Sequence, residues 1–466
     1  MLRNRAFLGL LAASLVSSTG DWILRTGMAY QIYVLTGSTL ASAGALLASL
    51  IPQIALGSIA GVYADRWPRR RLMVVTNVLH AVVLLPLVAV TDAGRVWIVL
   101  VVLAASSCLA PFFQAAEQAL LPSLVPADRL VTANSLNAQV RDVARLVGAA
   151  LGGVAAAAGG IGFLAVVDMA TFVVAAVLLT LLPAAPVNKR KERSFFLREW
   201  VAGARVIAGH RTLRLLLVYC LITGIGEAIM ATLIAPFTRD VLGADARAFG
   251  TIISAQAVGG LAGGLVTTLV GHRFRPRLLL AWGAIGFGLL DLVLFLYPLG
   301  YREWWPAPLL MILIGLPGAV GIAGIMTVFQ QATADEFRGR VFGALVALEG
   351  VAMLAGTGAA GILPRTFGIV PVIAAQGVGY VLAGLMVLVV RPDPGVERGG
   401  EGDPRPVGEQ QAGGHPGDRA EEPGGGADQE PQHHDVHQRQ AVLPGAEEDR
   451  RPGGVEHELD RVHGQR

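Results

Sequence analysis

Hydrophobic residues make up 53% of the 466 positions and charged residues only 15%, a balance too apolar for an ordinary soluble protein of this size. The formal net charge is +3, and the cations sit in short connections between apolar runs, so they offer no continuous basic face for a nucleic acid. The only lysines, Lys189 and Lys191, follow no glycine-rich phosphate cradle, and neither H-E-x-x-H nor C-x-x-C occurs; ATP hydrolysis by a P-loop and motif-borne metal or thiol chemistry are excluded, and no cofactor or enzymatic activity is expected.

In chain order, apolar stretches long enough to cross about 30 Å of hydrocarbon as helix fall at roughly 6–35, 39–64, 72–91, 96–116, 132–158, 161–182, 213–238, 248–270, 278–298, 306–330, 339–361 and 368–390. These twelve spans predict an all-α integral membrane protein, because open strand edges in lipid leave backbone groups unpaired. Residues 391–466 contain no Phe, Trp, Tyr, Ile, Met, Lys, Ser, Thr or Asn and are rich in Gly and Pro, a composition that predicts a disordered tail. The same usage also fits translation of GC-rich DNA out of frame past Arg391.

Short loops rich in Lys and Arg stay on the cytoplasmic side. With the N-terminus inside, the inner connections hold Arg3, Arg5, Arg66, Arg69, Arg70, Arg71, Arg129, Lys189, Arg190, Lys191, Arg193, Arg338 and Arg340 among others, and the outer ones only Arg95, Arg239, Arg247, Arg302 and Arg365. Both termini are therefore expected on the cytoplasmic side. Cys108 and Cys220 lie in separate spans far apart in sequence and are expected as free thiols.

An internal repeat shows at an offset of about 207 residues. Gly20-Asp21 matches Gly226-Glu227, Asp65-Arg66-Trp67 matches His272-Arg273-Phe274, Ala127-Asp128 matches Ala334-Asp335, and Asp142 matches Glu349. The expected organisation is two pseudo-symmetric six-helix halves, 1–182 and 213–390, joined by a cytoplasmic linker at 183–212 and followed by the tail at 391–466.

Ionisable groups inside spans are costly, by roughly 2.5 to 3.5 kcal/mol on insertion scales, and mark functional candidates. Asp21 and Arg25 lie four apart on one face of the first span and can pair; Glu227 holds the matching place in the seventh. Asp21 or Glu227 is expected to bind a coupling proton or a cationic substrate group. Arg141, Asp142 and Arg145 in the fifth span suit an anionic substrate, although their nearness to the inner loop favours snorkelling of the arginines to the interface. Glu117, Asp168 and Asp291 are weaker candidates that can serve as structural partners. His80, alone on an apolar span, is expected to be packed and neutral.

The segment GVYADRWPRRR at 61–71, with GDW at 20–22, LTGS at 35–38, LVPADRLVTANSL at 124–136 and DEFRGRVFG at 335–343, resembles the major facilitator superfamily. Within it, these motifs are similar to the bacterial efflux members that include the enterobactin exporter and macrolide efflux proteins. The resemblance implies a monomeric secondary transporter that exports small amphipathic or drug-like molecules by proton antiport with alternating access. An exporter of a siderophore or other endogenous metabolite, and a non-transporting membrane sensor or scaffold, are the alternatives. It also implies that Gly61, Asp65, Arg66, Arg69 and Arg70 form a conformational switch loop, with Asp65 meeting the start of the eleventh span. One departure is Ala149 in GAALGG at 148–153, where the drug-exporter signature carries proline.

Overall fold

A computed structural model describes residues 4–126, 129–182, 204–333 and 337–390. The proposed tail at 391–466 and most of the linker at 183–212 lie outside the described residues. Among the described residues every regular element is helical: α1 (Arg5–Thr36), α2 (Thr39–Arg66), α3 (Arg69–Leu84), α4 (Val96–Leu124), a run over Leu130–Thr180, α7 (Arg211–Pro236), α8 (Ala246–Val270), α9 (Pro276–Leu296), α10 (Pro306–Ala332), α11 (Arg338–Ile362) and α12 (Ile369–Val389). Eleven of these continuous stretches are long and apolar enough to cross a membrane.

The Leu130–Thr180 run holds two of the expected spans. As one straight helix its 51 residues would extend for about 75 Å, far beyond the hydrocarbon thickness. Gly160, at φ 61° and ψ −155°, leaves helical geometry in its middle, a conformation that costs glycine little and any β-carbon much. The contacts of α1 show that the chain reverses there. Gly148 packs on Thr19 and Trp22 and Gly152 on Ile23 and Thr26, so the first limb, α5 (130–159), runs parallel to α1. Leu182, Asp168 and Leu164 meet Gly9, Gly20 and Gly27 in turn, so the second limb, α6 (161–180), runs antiparallel. Among the described residues, twelve segments of membrane-crossing length result, as the apolar pattern predicts.

The repeat reappears as equivalent contacts. Gly20 of α1 faces Asp168 of α6, and Gly226 of α7 faces Gln376 of α12. His80 of α3 stacks on Phe172 of α6 with centroids 4.7 Å apart, and Phe287 of α9 packs on Tyr380 of α12 at 4.5 Å. At the start of α3, Arg70 donates to the carbonyl of Leu182 just beyond α6. At the start of α9, Arg277 donates to Val387 (2.8 Å from Nε), Leu388 (3.1 Å) and Val390 at the end of α12. In both halves a guanidinium thus satisfies the orphan carbonyls and the negative pole of a helix C-terminus.

Arg69 likewise donates to Ala119 of α4 at 2.7 Å. Arg69 and Arg70, expected in a conformational switch loop, each hold a helix of their own half. The reason is local: α3 begins at Arg69, so both side chains start inside the helix. Gly61, Asp65 and Arg66 are helical in backbone, and their side-chain surroundings lie outside the described residues, as do 334–336 before α11.

Trp97, Trp282 and Trp305 stand at the surface, at 62%, 61% and 53% exposure, as rings at a membrane interface do. Because the arginine clamps replace solvent at helix ends, Arg277→Ala is expected to cost roughly 2 kcal/mol, the scale of a hydrogen bond to a charged group. The detergent-solubilised variant should unfold at a lower temperature, with Arg277→Lys recovering part of the loss; an unchanged midpoint would mean that the α12 carbonyls do not depend on the guanidinium.

Candidate functional site

The first half encloses a cavity of about 300 Å³ among α1, α3, α4, α5 and α6. Asp21, Glu117, Arg141, His80, Phe113 and Phe172 are among its lining residues. Asp21 reaches it because Gly20, the residue before it, lets α6 approach: a β-carbon at 20 would strike Asp168 and Thr171. Asp168 is fully buried behind it, accepting a 3.1 Å hydrogen bond from Thr171 Oγ1, while its Oδ2 has no partner among the described residues. His80, only 4% exposed, turns Nδ1 to the Thr76 carbonyl at 2.9 Å and Nε2 to the Ser106 carbonyl at 3.1 Å. It is packed, as expected, and both ring nitrogens face acceptors.

Arg141 turns into this cavity, its Nη1 lying 3.7 Å from Glu117 Oε2. Glu117 also accepts a 2.5 Å hydrogen bond from Ser14. With its amide oriented to match these neighbours, Asn137 donates to Glu117 Oε1 at 3.3 Å and accepts from Arg141 at 3.0 Å. Arg141, expected to snorkel to the interface, instead pairs with Glu117, a buried carboxylate on α4. Asp142, one residue on, is exposed and does not line the cavity.

Asp21 and Arg25 make no ion pair; Arg25 lies over the Trp22 ring, 5.2 Å from its centroid. Arg145 lies over the same ring at 5.5 Å and donates a 2.8 Å hydrogen bond to Gln256 of α8, so the fifth helix is tied across to the other half rather than to the interface. Glu227, exposed on α7, is a charged neighbour of Arg145 and of Glu349 on α11. Asp21 thus faces the cavity of the first half, and Glu227 belongs to a polar group in which Arg145 of the first half meets Glu349 of the second. Gln256, Asn137, Ser14 and Gln376 carry no charge and gave no signal in sequence, although Gln376 stands one repeat beyond Asp168.

The two halves are bonded at the end of the bundle that carries Gly37. Tyr33 donates to the Asp240 carboxylate, Tyr30 to the Ala244 carbonyl at 2.9 Å, and Thr39 to the Gly361 carbonyl at 3.0 Å. Arg239 donates to the carbonyls of Tyr33 and Val34, both at 3.1 Å. A π-helical turn, Phe237–Val241, presents Arg239 and Asp240 to α1. Gly153 and Gly250 let α5 and α8 touch backbone to backbone. At the opposite end, which carries Trp67, the bonds of Asn4, Arg69, Arg70 and Arg277 each stay within one half.

Comparison with known proteins agrees with this architecture. The profile of the transmembrane secretion effector family matches residues 1–398. An uncharacterized MFS-type transporter of Bacillus subtilis, YfiS, is 26% identical over 408 residues, covering 84% of this chain and 94% of its own. The multidrug efflux pump Tap of Mycobacterium tuberculosis is 26% identical over 403 residues, covering 83% and 93%. Among solved structures, a bacterial homologue of the iron transporter ferroportin in an inward-facing state superposes with a TM-score of 0.66 at 18% identity, covering 82% of this chain and 98% of that one. A D-xylose–proton symporter gives 0.66 at 15% identity, covering 84% and 98%. With the family profile spanning both halves and twelve helices folded as in these transporters, the chain belongs to the transmembrane secretion effector family of the major facilitator superfamily.

Proposed function

We propose that this transporter exports small amphipathic, drug-like molecules across the bacterial inner membrane in exchange for protons. The observation that carries this reading is the cavity of the first half, where Asp21 stands beside the aromatic rings of Phe113 and Phe172. Its volume of about 300 Å³ lies at the small end of the range usual for ligand pockets. Arg141 is matched by Glu117, whereas Asp21 has no ion-pair partner among the described residues, which supports a molecule with a positive group over an anionic metabolite. Relatives named as multidrug efflux pumps support the same class.

The excess of arginine at the Trp67 end supports a cytoplasmic position for that end and for both termini. The bonded Gly37 end then faces outward, and the structure corresponds to the state that loads substrate from inside. Asp65 and Arg66 at the end of α2 would supply the complementary latch against α11 when the cytoplasmic end closes. Asp21 and Glu227, equivalent in the repeat, are the groups through which a proton and a substrate compete. Each pH unit supplies about 1.36 kcal/mol per proton.

Uptake of a fluorescent cationic substrate into energised inverted vesicles, with pH quenching read in parallel, tests this reading. Asp21→Asn and Glu227→Gln should each lower the initial rate on the order of tenfold, the effect of about 1.4 kcal/mol on the barrier, and should abolish substrate-triggered proton movement. Asp142→Asn, outside the cavity, should transport normally. Full coupled transport by both of the first two variants would remove the reading.

A further inference from the structure

In the second half a carboxyl group is buried away from the cavity just described. Asp291 on α9 is fully buried, and its Oδ2 accepts a 2.9 Å hydrogen bond from Nε2 of Gln376 on α12, itself 1% exposed. The amide nitrogen also lies 3.5 Å from Met230 Sδ on α7. The remaining oxygens, Asp291 Oδ1 and Gln376 Oε1, are both acceptors, and neither finds a donor among the described residues.

The titratable groups around Asp291 supply no counter-charge. Glu227 on α7 is its charged neighbour, and Tyr380 on α12 lies within electrostatic range. The span of α10, which packs on α9, carries no ionisable side chain. An ionised Asp291 would therefore be a buried anion beside another anion, an arrangement that costs several kcal/mol without a paired cation.

A carboxylic acid and a primary amide can pair edge to edge, the amide N–H donating to one oxygen and the acid O–H donating to the amide oxygen. A single proton on Oδ1 would give both orphan acceptors a partner. We propose that Asp291 and Gln376 form a proton-binding pair between α9 and α12, with the proton held on Asp291 Oδ1 and donated to Gln376 Oε1. A metal cation fits poorly, since hard cations ask for about six or more oxygens and the surroundings here include a thioether and the Phe287 and Tyr380 rings.

The pair also touches the helix that bears Glu227. A β-carbon at Gly226 would meet Gln376 Cγ at 3.1 Å, so α7 rests on the amide side chain with almost no clearance. Losing the proton sets Asp291 and Glu227 against each other as like charges and strips the amide of one bond. Proton occupancy is thereby linked to the seating of α7 on α12.

The inference is independent of what the protein transports, and its test needs no substrate. Infrared spectra of the full-length protein in lipid nanodiscs near neutral pH are compared for wild type and Asp291→Asn. Asparagine keeps one donor and one acceptor at the same place, so the variant should fold, and the difference spectrum should contain one carboxylic-acid C=O band. Gln376→Met, which keeps the side-chain length, should move that band to higher frequency by removing its hydrogen-bonded partner. Carboxylate bands alone in the difference spectrum would overturn the proposal, since they indicate an ionised, water-bridged Asp291. Failure of Asp291→Asn to fold would do the same, because a neutral isostere can replace a neutral acid but not a required charge. An acid band that Gln376→Met leaves in place would dissolve the pairing.

Discussion

The hydrogen bond from Tyr33 to Asp240, backed by Arg239 on the carbonyls of Tyr33 and Val34, joins the halves at the Gly37 end, and the proposed alternation between states depends on it. Bonds of this kind contribute about 0.5–1.5 kcal/mol each, and up to about 3 when one partner is charged. A handful of them holds one end closed without locking it. The close approach of Gly153 to Gly250 adds packing that survives a small rotation better than it survives separation. In the proposed cycle such a latch would select a state while leaving binding energy of a few kcal/mol enough to reverse it.

Behind that latch the duplication has been kept in its scaffold and altered in its chemistry. The arginine clamps at the starts of α3 and α9, and the ring pairs His80–Phe172 and Phe287–Tyr380, occupy equivalent places. The polar groups do not match so well. Where the first half sets Asp168 against Gly20, the second sets the neutral Gln376 against Gly226 and moves its buried acid to Asp291 on α9. The first half thus presents Asp21 to its cavity with Asp168 buried behind it, and the second buries Asp291 while Glu227 stays exposed.

Most of the architecture was legible because the bilayer imposes it. Twelve apolar runs and four matches at one offset suffice to write a helical duplication. The side-chain partners were less legible, for identifiable reasons. Arg141 sits near a charged loop, but its partner Glu117 comes from another helix, and spacing along α5 cannot reveal it. Arg25 is four residues from Asp21, yet Trp22, three residues away, offers its ring to the guanidinium instead. Arg69 and Arg70 looked like loop residues until α3 was seen to begin with them. Gln256 and Gln376 are uncharged, and their partners are 111 and 85 residues distant.

Spin-label distance measurements on the protein in nanodiscs test the central claim that the halves rock about a middle site. One pair of labels at Thr91 and Arg302 spans the bonded end, and a second pair at Ser123 and Arg275 spans the other. The account predicts that the resting protein populates a short Thr91–Arg302 distance, and that a transported ligand or a pH step lengthens it while the Ser123–Arg275 distance shortens. Distances that change together in the same direction, or neither changing under conditions that support transport, would contradict it.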